Sequence, residues 1–195
     1  GFQLQTLGSA TNPVWAGSGG VLLNTITASQ LGSAVDTPSF SSRYSKFRIS
    51  FERVCPVATA TLTASLNLQI ATTGTAFISG GYISNVETWV NATAVFAVST
   101  TVLLLSGSLA KTTIGTSTDY GANGYIEITN PANGVFRKSI SGELAYMATG
   151  AAGTATNAVS FPFGMWDGST AIAAIAIAFQ TGNISTGTIR VYGIS

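Results

Sequence analysis

In stretch after stretch of this chain, apolar and polar residues alternate one by one, and a period of two leaves little besides β-strands to fold into. "YSKFRISFER" sets Phe47, Ile49 and Phe51 on one parity, with Lys46, Arg48, Ser50 and Glu52 on the other. "TLTASLNLQI" aligns Leu62, Ala64, Leu66, Leu68 and Ile70 against Thr61, Thr63, Ser65, Asn67 and Gln69. "GYIEITN" repeats the rule with Ile126 and Ile128, and "TIRVYGI" with Ile189 and Val191 opposite Arg190 and Tyr192. Such patterning describes antiparallel strands with one face buried and one wet. The closing run "TGNISTGTIRVYGIS" places turn chemistry before its strand, and that strand is expected to be tied into a sheet.

Helix has few footholds. "TASQLGSAV" offers a single turn that Gly32 interrupts. "AIAAIAIAFQ" is alanine-rich, which favours helix, yet Ile175, Ile177 and Phe179 alternate with Ala174, Ala176 and Ala178. It is read as a buried strand whose small-residue face lies close beneath another sheet or subunit. Many short strands, glycine-rich turns and no alternation with helices predict an all-β, antiparallel β-sandwich of jelly-roll type. No fixed-period repeat is present, which disfavours a propeller or solenoid. The expected organisation is an N-terminal arm or edge segment over residues 1–39 and one sandwich domain over 40–195.

Charge narrows the range of partners. Of 195 residues, 8 are basic and 7 acidic, 8 % in all with a net charge of +1, against about a quarter in average soluble proteins. The polar surface is therefore mostly Ser, Thr, Asn and Gln, which resists self-association weakly. Nothing draws such a chain to nucleic acid or to anionic lipid. Its longest apolar run, Ala171 to Phe179, falls short of the roughly 18 to 20 residues that span a bilayer, so no membrane insertion is expected. No basic segment followed by an apolar core opens the sequence, and no signal peptide is expected. Cys55 is the single cysteine; it reads as a small buried hydrophobe between Val54 and Pro56.

Catalytic chemistry finds little to work with. Histidine is absent, which removes the commonest general base, the His-dependent nucleophile systems and the usual transition-metal ligand. The carboxylates are Asp36, Glu52, Glu87, Asp119, Glu127, Glu143 and Asp167. Glycoside hydrolysis needs two of them across a cleft, but Glu52, Glu127 and Glu143 fall on or beside wet strand faces. "GTSTDYGANG" and "GMWDGST" each offer one acid among turn residues without the repeated spacing of a calcium loop. No catalytic, cofactor or metal site is expected. The remaining signal is aromatic: Trp89, Tyr120 and Trp166 in or beside loop-like stretches, with Trp15 in the N-terminal segment. Trp89, Tyr120, Trp166, Asp167 and Tyr192 are the candidate contacts to a glycan or to a second subunit, because aromatic faces beside Asp or Asn serve either role.

Three blocks, taken in order, resemble a family of bacteriophage and prophage virion proteins. "SSRYSKFRISFERVCPVATATLTASLNLQIATTGTAF" is similar to their aromatic-rich strand leading to an alternating strand and a glycine-bearing turn. "ANGYIEITNPANGVFRKSISGELAY" is similar to their Ile-x-Ile strand, Asn-Pro turn and Lys-Ser strand, and "AIAAIAIAFQTGNISTGTIRVYGIS" to their closing strand pair. The first forty residues and the stretch around Val95 to Leu109 depart from the pattern. The resemblance implies a non-enzymatic β-sandwich displayed on a virion as a head-decoration, spike or tail-fibre element. It also implies a homotrimer or symmetric array among other virion proteins, with host surface polysaccharide as a further partner. The alternatives are a glycan-binding receptor module of a phage fibre and a jelly-roll capsid protein of a small virus. The capsid alternative lacks the basic arm that would neutralise packaged nucleic acid.

Overall fold

The alternating runs form the strands of two sheets whose apolar faces share one core. The structure, a computed structural model, describes residues 3–5, 14–16, 20–32, 34–36, 43–57, 65–74, 76–107, 114, 121–149 and 155–195. In chain order the strands are β1 (Gln3–Gln5), β2 (Val14–Ala16), β3 (Val21–Leu31), β4 (Ala34–Asp36), β5 (Lys46–Pro56), β6 (Leu66–Ala71) and β7 (Tyr82–Val90). They continue with β8 (Thr93–Ser99), β9 (Leu103–Leu104), β10 (Ala122–Thr129), β11 (Lys138–Thr149), β12 (Ala155–Trp166), β13 (Ala174–Phe179) and β14 (Ile184–Ile194). No helix occurs among the described residues.

An eight-stranded sheet runs β3-β14-β5-β10-β11-β12-β7-β8, and a four-stranded sheet runs β4-β13-β6-β9. All the pairings are antiparallel. β1 and β2 pair with each other. The antiparallel all-β sandwich expected from the sequence is present; its sheets are unequal, and this strand order does not by itself mark out the two Greek keys of a jelly roll. β3 and β4 supply one edge of each sheet, so residues 21–31 and 34–36 pair with strands that follow residue 40. Leu62 and Ala64, expected in the strand that became β6, lie outside the described residues.

The parity rule places the core. Phe47, Ile49 and Phe51 of β5, Ile126 and Ile128 of β10, and Ile189 and Val191 of β14 are buried in one cluster with Leu66, Leu68 and Ile70 of β6 and Ile175, Ile177 and Phe179 of β13. Alanines on the other parity of β13 are also buried, Ala174 opposite Ala71 and Ala176 opposite Gln69. β14, which carries the end of the sequence, lies between β3 and β5.

Buried hydroxyls tie one sheet to the other. Tyr82 of β7 accepts a hydrogen bond from the Ile70 amide (3.1 Å) and donates to the Ile78 carbonyl (3.0 Å). Ser84 accepts from the Leu104 amide (2.8 Å). Tyr146, Ser160 and Thr88, on three adjacent strands, form a buried hydroxyl chain with links of 2.7 and 2.8 Å. Such groups are tolerated in a core because each has a partner. Lys138 is wholly buried, and its ammonium donates to the carbonyls of Asn133 (2.6 Å), Phe136 (2.5 Å) and Ser169 (2.8 Å), pinning the loop before β11 to the loop after β12.

A bulge interrupts the middle of the large sheet. Arg53 has φ 53°, and the registers of β5 with β10 and with β14 both slip beside it. Glycines flank the distortion on both sides. A Cβ on Gly121 would stand 2.5 Å from the Arg53 carbonyl carbon, and one on Gly187 would stand 2.6 Å from the Val54 Cα. Only glycine admits so close a backbone.

Candidate functional site

The face of the large sheet turned away from the core divides into two unlike halves. On β5, β10 and β14 it carries charge and hydroxyl groups. Glu127 accepts from the Arg48 guanidinium at 2.6 Å and from Lys46 at 3.4 Å, and Arg190 meets Glu52 at 2.6 Å. The Arg48 guanidinium also lies 4.8 Å from the centre of the Tyr125 ring. Hydrogen bonding from Arg48 holds the Glu127 carboxyl below its ordinary value. Lys46, Arg48 and Arg190 are thus each paired with a carboxylate.

On β12, β7 and β8 the same face is apolar. The registers stack Met165 beside Ile83, then Phe163 beside Asn85 and Val98, then Phe161 beside Glu87 and Phe96, then Val159 beside Trp89 and Ala94. Six of these side chains are large, apolar and exposed, from 39 % for Phe161 to 74 % for Val98. The single carboxylate among them, Glu87, accepts from the Trp89 indole at 2.8 Å. A contiguous array of this kind is uncommon on the surface of a protein that acts alone.

β12 makes the array by reversing the expected arrangement of large and small residues. Ser160, Pro162 and Gly164 face the core, while Phe161, Phe163 and Met165 face out. The interior opposite is already filled by Tyr82, Tyr146 and Leu103; a Cβ on Gly164 would come within 3.3 Å of a Leu103 methyl. Small inward residues are what that space accepts.

The residues singled out in the sequence scatter across this frame. Trp89 joins the apolar half, on strand β7 and not in a loop. Trp166, expected among exposed loop aromatics, is corrected: it ends β12 on the inner parity, is 6 % exposed and packs against Gly81 and Gly168. Asp167 follows it to the surface, where it pairs with Arg137 at 2.7 Å. Tyr192 is half-buried on the polar half, opposite Arg48 and Leu22. Five strand spacings separate β14 from β7, about 24 Å, so Tyr192 and Trp89 do not share a site. Tyr120, like Asp119, lies outside the described residues. Phe96, Phe161, Phe163, Ile83 and Val98 were not singled out. For Phe161 and Phe163 the signal was the aromatic parity of "SFPFGM", which looks like a core face until the opposite wall is known.

The described residues hold no group of three or more His, Cys, Asp or Glu side chains that could bind a metal, and no helix among them is long and apolar enough to cross a membrane. Cys55 is buried, and that burial pushes its thiol up to about 11. No protein-family model, curated protein or solved structure matches the chain.

Proposed function

We propose that this protein is a non-enzymatic structural component of a phage particle surface, acting by association with further copies of itself through the apolar half of the large sheet. The observation that carries the reading is the row of exposed side chains on β12, β7 and β8, which includes Phe96, Phe161 and Phe163. Leaving them in water forgoes roughly 1.5 to 3 kcal/mol for each one that a neighbour would bury. The nearly uncharged sequence offers little electrostatic opposition to such contact. The phage setting rests on the resemblance of the three sequence blocks, and a trimer or larger symmetric array is the assembly it implies. Replacing Phe161 and Phe163 together by Ser tests the contact. The variant should keep its cooperative unfolding transition, since both side chains are already exposed, and should form smaller assemblies than the wild type in light scattering. Mass-spectrometric detection in purified virions tests the setting; association without any particle-bound protein contradicts it.

A second reading has its own observation. Trp89 is fixed by Glu87, with Asn85 on the same face and the rings of Phe161 and Phe96 on either side of Glu87, a combination that suits stacking on sugar rings. Polysaccharide binding that disappears in Trp89→Ala while assembly persists is the result that separates this reading from the first.

A further inference from the structure

β8 closes one edge of the eight-stranded sheet and, among the described residues, pairs with β7 alone. Edges are normally protected by charge, proline, a bulge or a covering segment. β8 reads Thr93-Ala94-Val95-Phe96-Ala97-Val98-Ser99, with no charge and no proline, and its register against β7 is unbroken.

The order of these residues specifies what fits beside them. Turned about a two-fold axis at Phe96, the strand sets Thr93 opposite Ser99, Ala94 opposite Val98 and Val95 opposite Ala97. Hydroxyl meets hydroxyl, each smaller aliphatic side chain meets a larger one, and Phe96 meets itself. Backbone parity agrees. β7 and β8 are joined by the two-residue turn Asn91-Ala92, both with positive φ (47° and 62°), the form in which the flanking pair Val90 and Thr93 exchanges both hydrogen bonds. Alternation from that pair directs the backbone groups of Thr93, Val95, Ala97 and Ser99 toward β7. Those of Ala94, Phe96 and Val98 therefore face the free edge. Phe96 and Val98 also carry two of the most exposed side chains of the apolar half.

We infer that β8 pairs antiparallel with β8 of a second copy, about a two-fold axis passing between Phe96 and Phe96 of the partner subunit. This rests on the reading that copies associate through the apolar half, and it adds which edge meets which and in what register. Reciprocal amide–carbonyl bonds join Phe96 to its counterpart, and Ala94 to Val98 of the partner subunit. The two large sheets become one continuous sheet, and the two apolar halves become one surface on the same side of it. An isologous contact of this kind closes by itself as a dimer. It leaves Phe161 and Phe163, both on β12 and two strands away from β8, for contacts that extend the assembly.

The test uses charge at the axis. Phe96→Lys and Phe96→Glu each place like charges directly opposite one another, and each should weaken association by about ten-fold or more in sedimentation equilibrium. An equimolar mixture of the two should recover association as a mixed dimer, because only a self-meeting position is rescued in this way. Side chains at position 96 point outward in the single subunit but lie opposite Glu87 of β7, so Phe96→Lys should retain the wild-type thermal transition and Phe96→Glu should lower it slightly. Amide exchange gives a second readout: the Ala94, Phe96 and Val98 amides should be protected in the associated wild type and exchange rapidly in Phe96→Lys. Wild-type association that ignores charge at position 96, or a mixture no tighter than its components, overturns this pairing while leaving the proposed function standing. Unprotected amides at 94, 96 and 98 in the associated protein overturn it equally. A wild type that stays monomeric overturns both.

Discussion

Replacing Tyr82 with Phe removes one oxygen atom and should loosen the sandwich where its sheets are tied together. The ring is 1 % exposed, and its hydroxyl holds the Ile70 amide of the small sheet at 3.1 Å while donating to the Ile78 carbonyl at 3.0 Å. Without it the Ile70 amide is a buried donor lacking this partner, a loss of about 1 to 3 kcal/mol. The Ile78 carbonyl loses a second bond of about 1 kcal/mol. Phenylalanine preserves the packing, so no cavity contributes. The expected destabilisation is therefore about 2 to 4 kcal/mol, and for a domain of this size roughly 4 to 16 °C in the melting temperature. Urea unfolding should show a lower midpoint with an unchanged slope, since the surface exposed on unfolding is the same. Tyr125→Phe, on the exposed face, is the control and should unfold as the wild type does. A Tyr82→Phe midpoint equal to that of Tyr125→Phe would refute the claim that the hydroxyl bridges the sheets.

Deleting residues 187–195 should abolish folding: Ile189 and Val191 leave the core, a loss of about 3 to 6 kcal/mol, and both β3 and β5 lose ladder partners. A soluble truncation with an unchanged transition contradicts this. Glu127 has its folded-state pKa lowered by Arg48, so its contribution to stability is present above about pH 4.5 and disappears as pH falls through the depressed value. Glu127→Gln should flatten the acid limb of the stability profile, and an acid limb unchanged in the variant counts against the pairing. Cys55, with its thiol raised to about 11 by burial, should resist alkylation in the native protein at mildly alkaline pH and react fully in denaturant. Its contribution to stability is present below its ordinary 9.0 and is lost as pH rises through about 11. Rapid labelling of the folded protein contradicts its burial.

What could be read in the sequence depended on whether the two faces of a strand differ in chemistry. β5 sets Phe47, Ile49 and Phe51 against Lys46, Arg48 and Glu52, so only one parity can face a core and the inward face was legible as far as Phe51; the bulge at Arg53 and the extension to Pro56 were not. β10 and β14 follow the same logic. β12 does not: its Phe161 and Phe163 parity is more apolar than its Ser160 and Pro162 parity, and the sequence of one strand carries no record that Tyr82 and Tyr146 already fill the opposing space. Trp166 and Asp167 show the same ambiguity, since adjacent residues on a strand end point to opposite sides. The N-terminal strands were obscured for another reason. β3 and β4 lie at edges, and "TASQLGSAV" mixes small and polar residues with no regular alternation. The apolar half itself joins the β7–β8 hairpin to β12, which lies far along the sequence from it, so no single local run holds the whole of it.

The most direct test of the account is the mass of the isolated wild-type protein in solution, measured by light scattering over a range of micromolar concentrations. The apolar half of the large sheet predicts a defined multiple of the 19.9 kDa chain, persisting in high salt because the contact is apolar and not ionic. A mass of 19.9 kDa at every concentration and in low and high salt alike would contradict the claim that this face is covered by further copies of the chain.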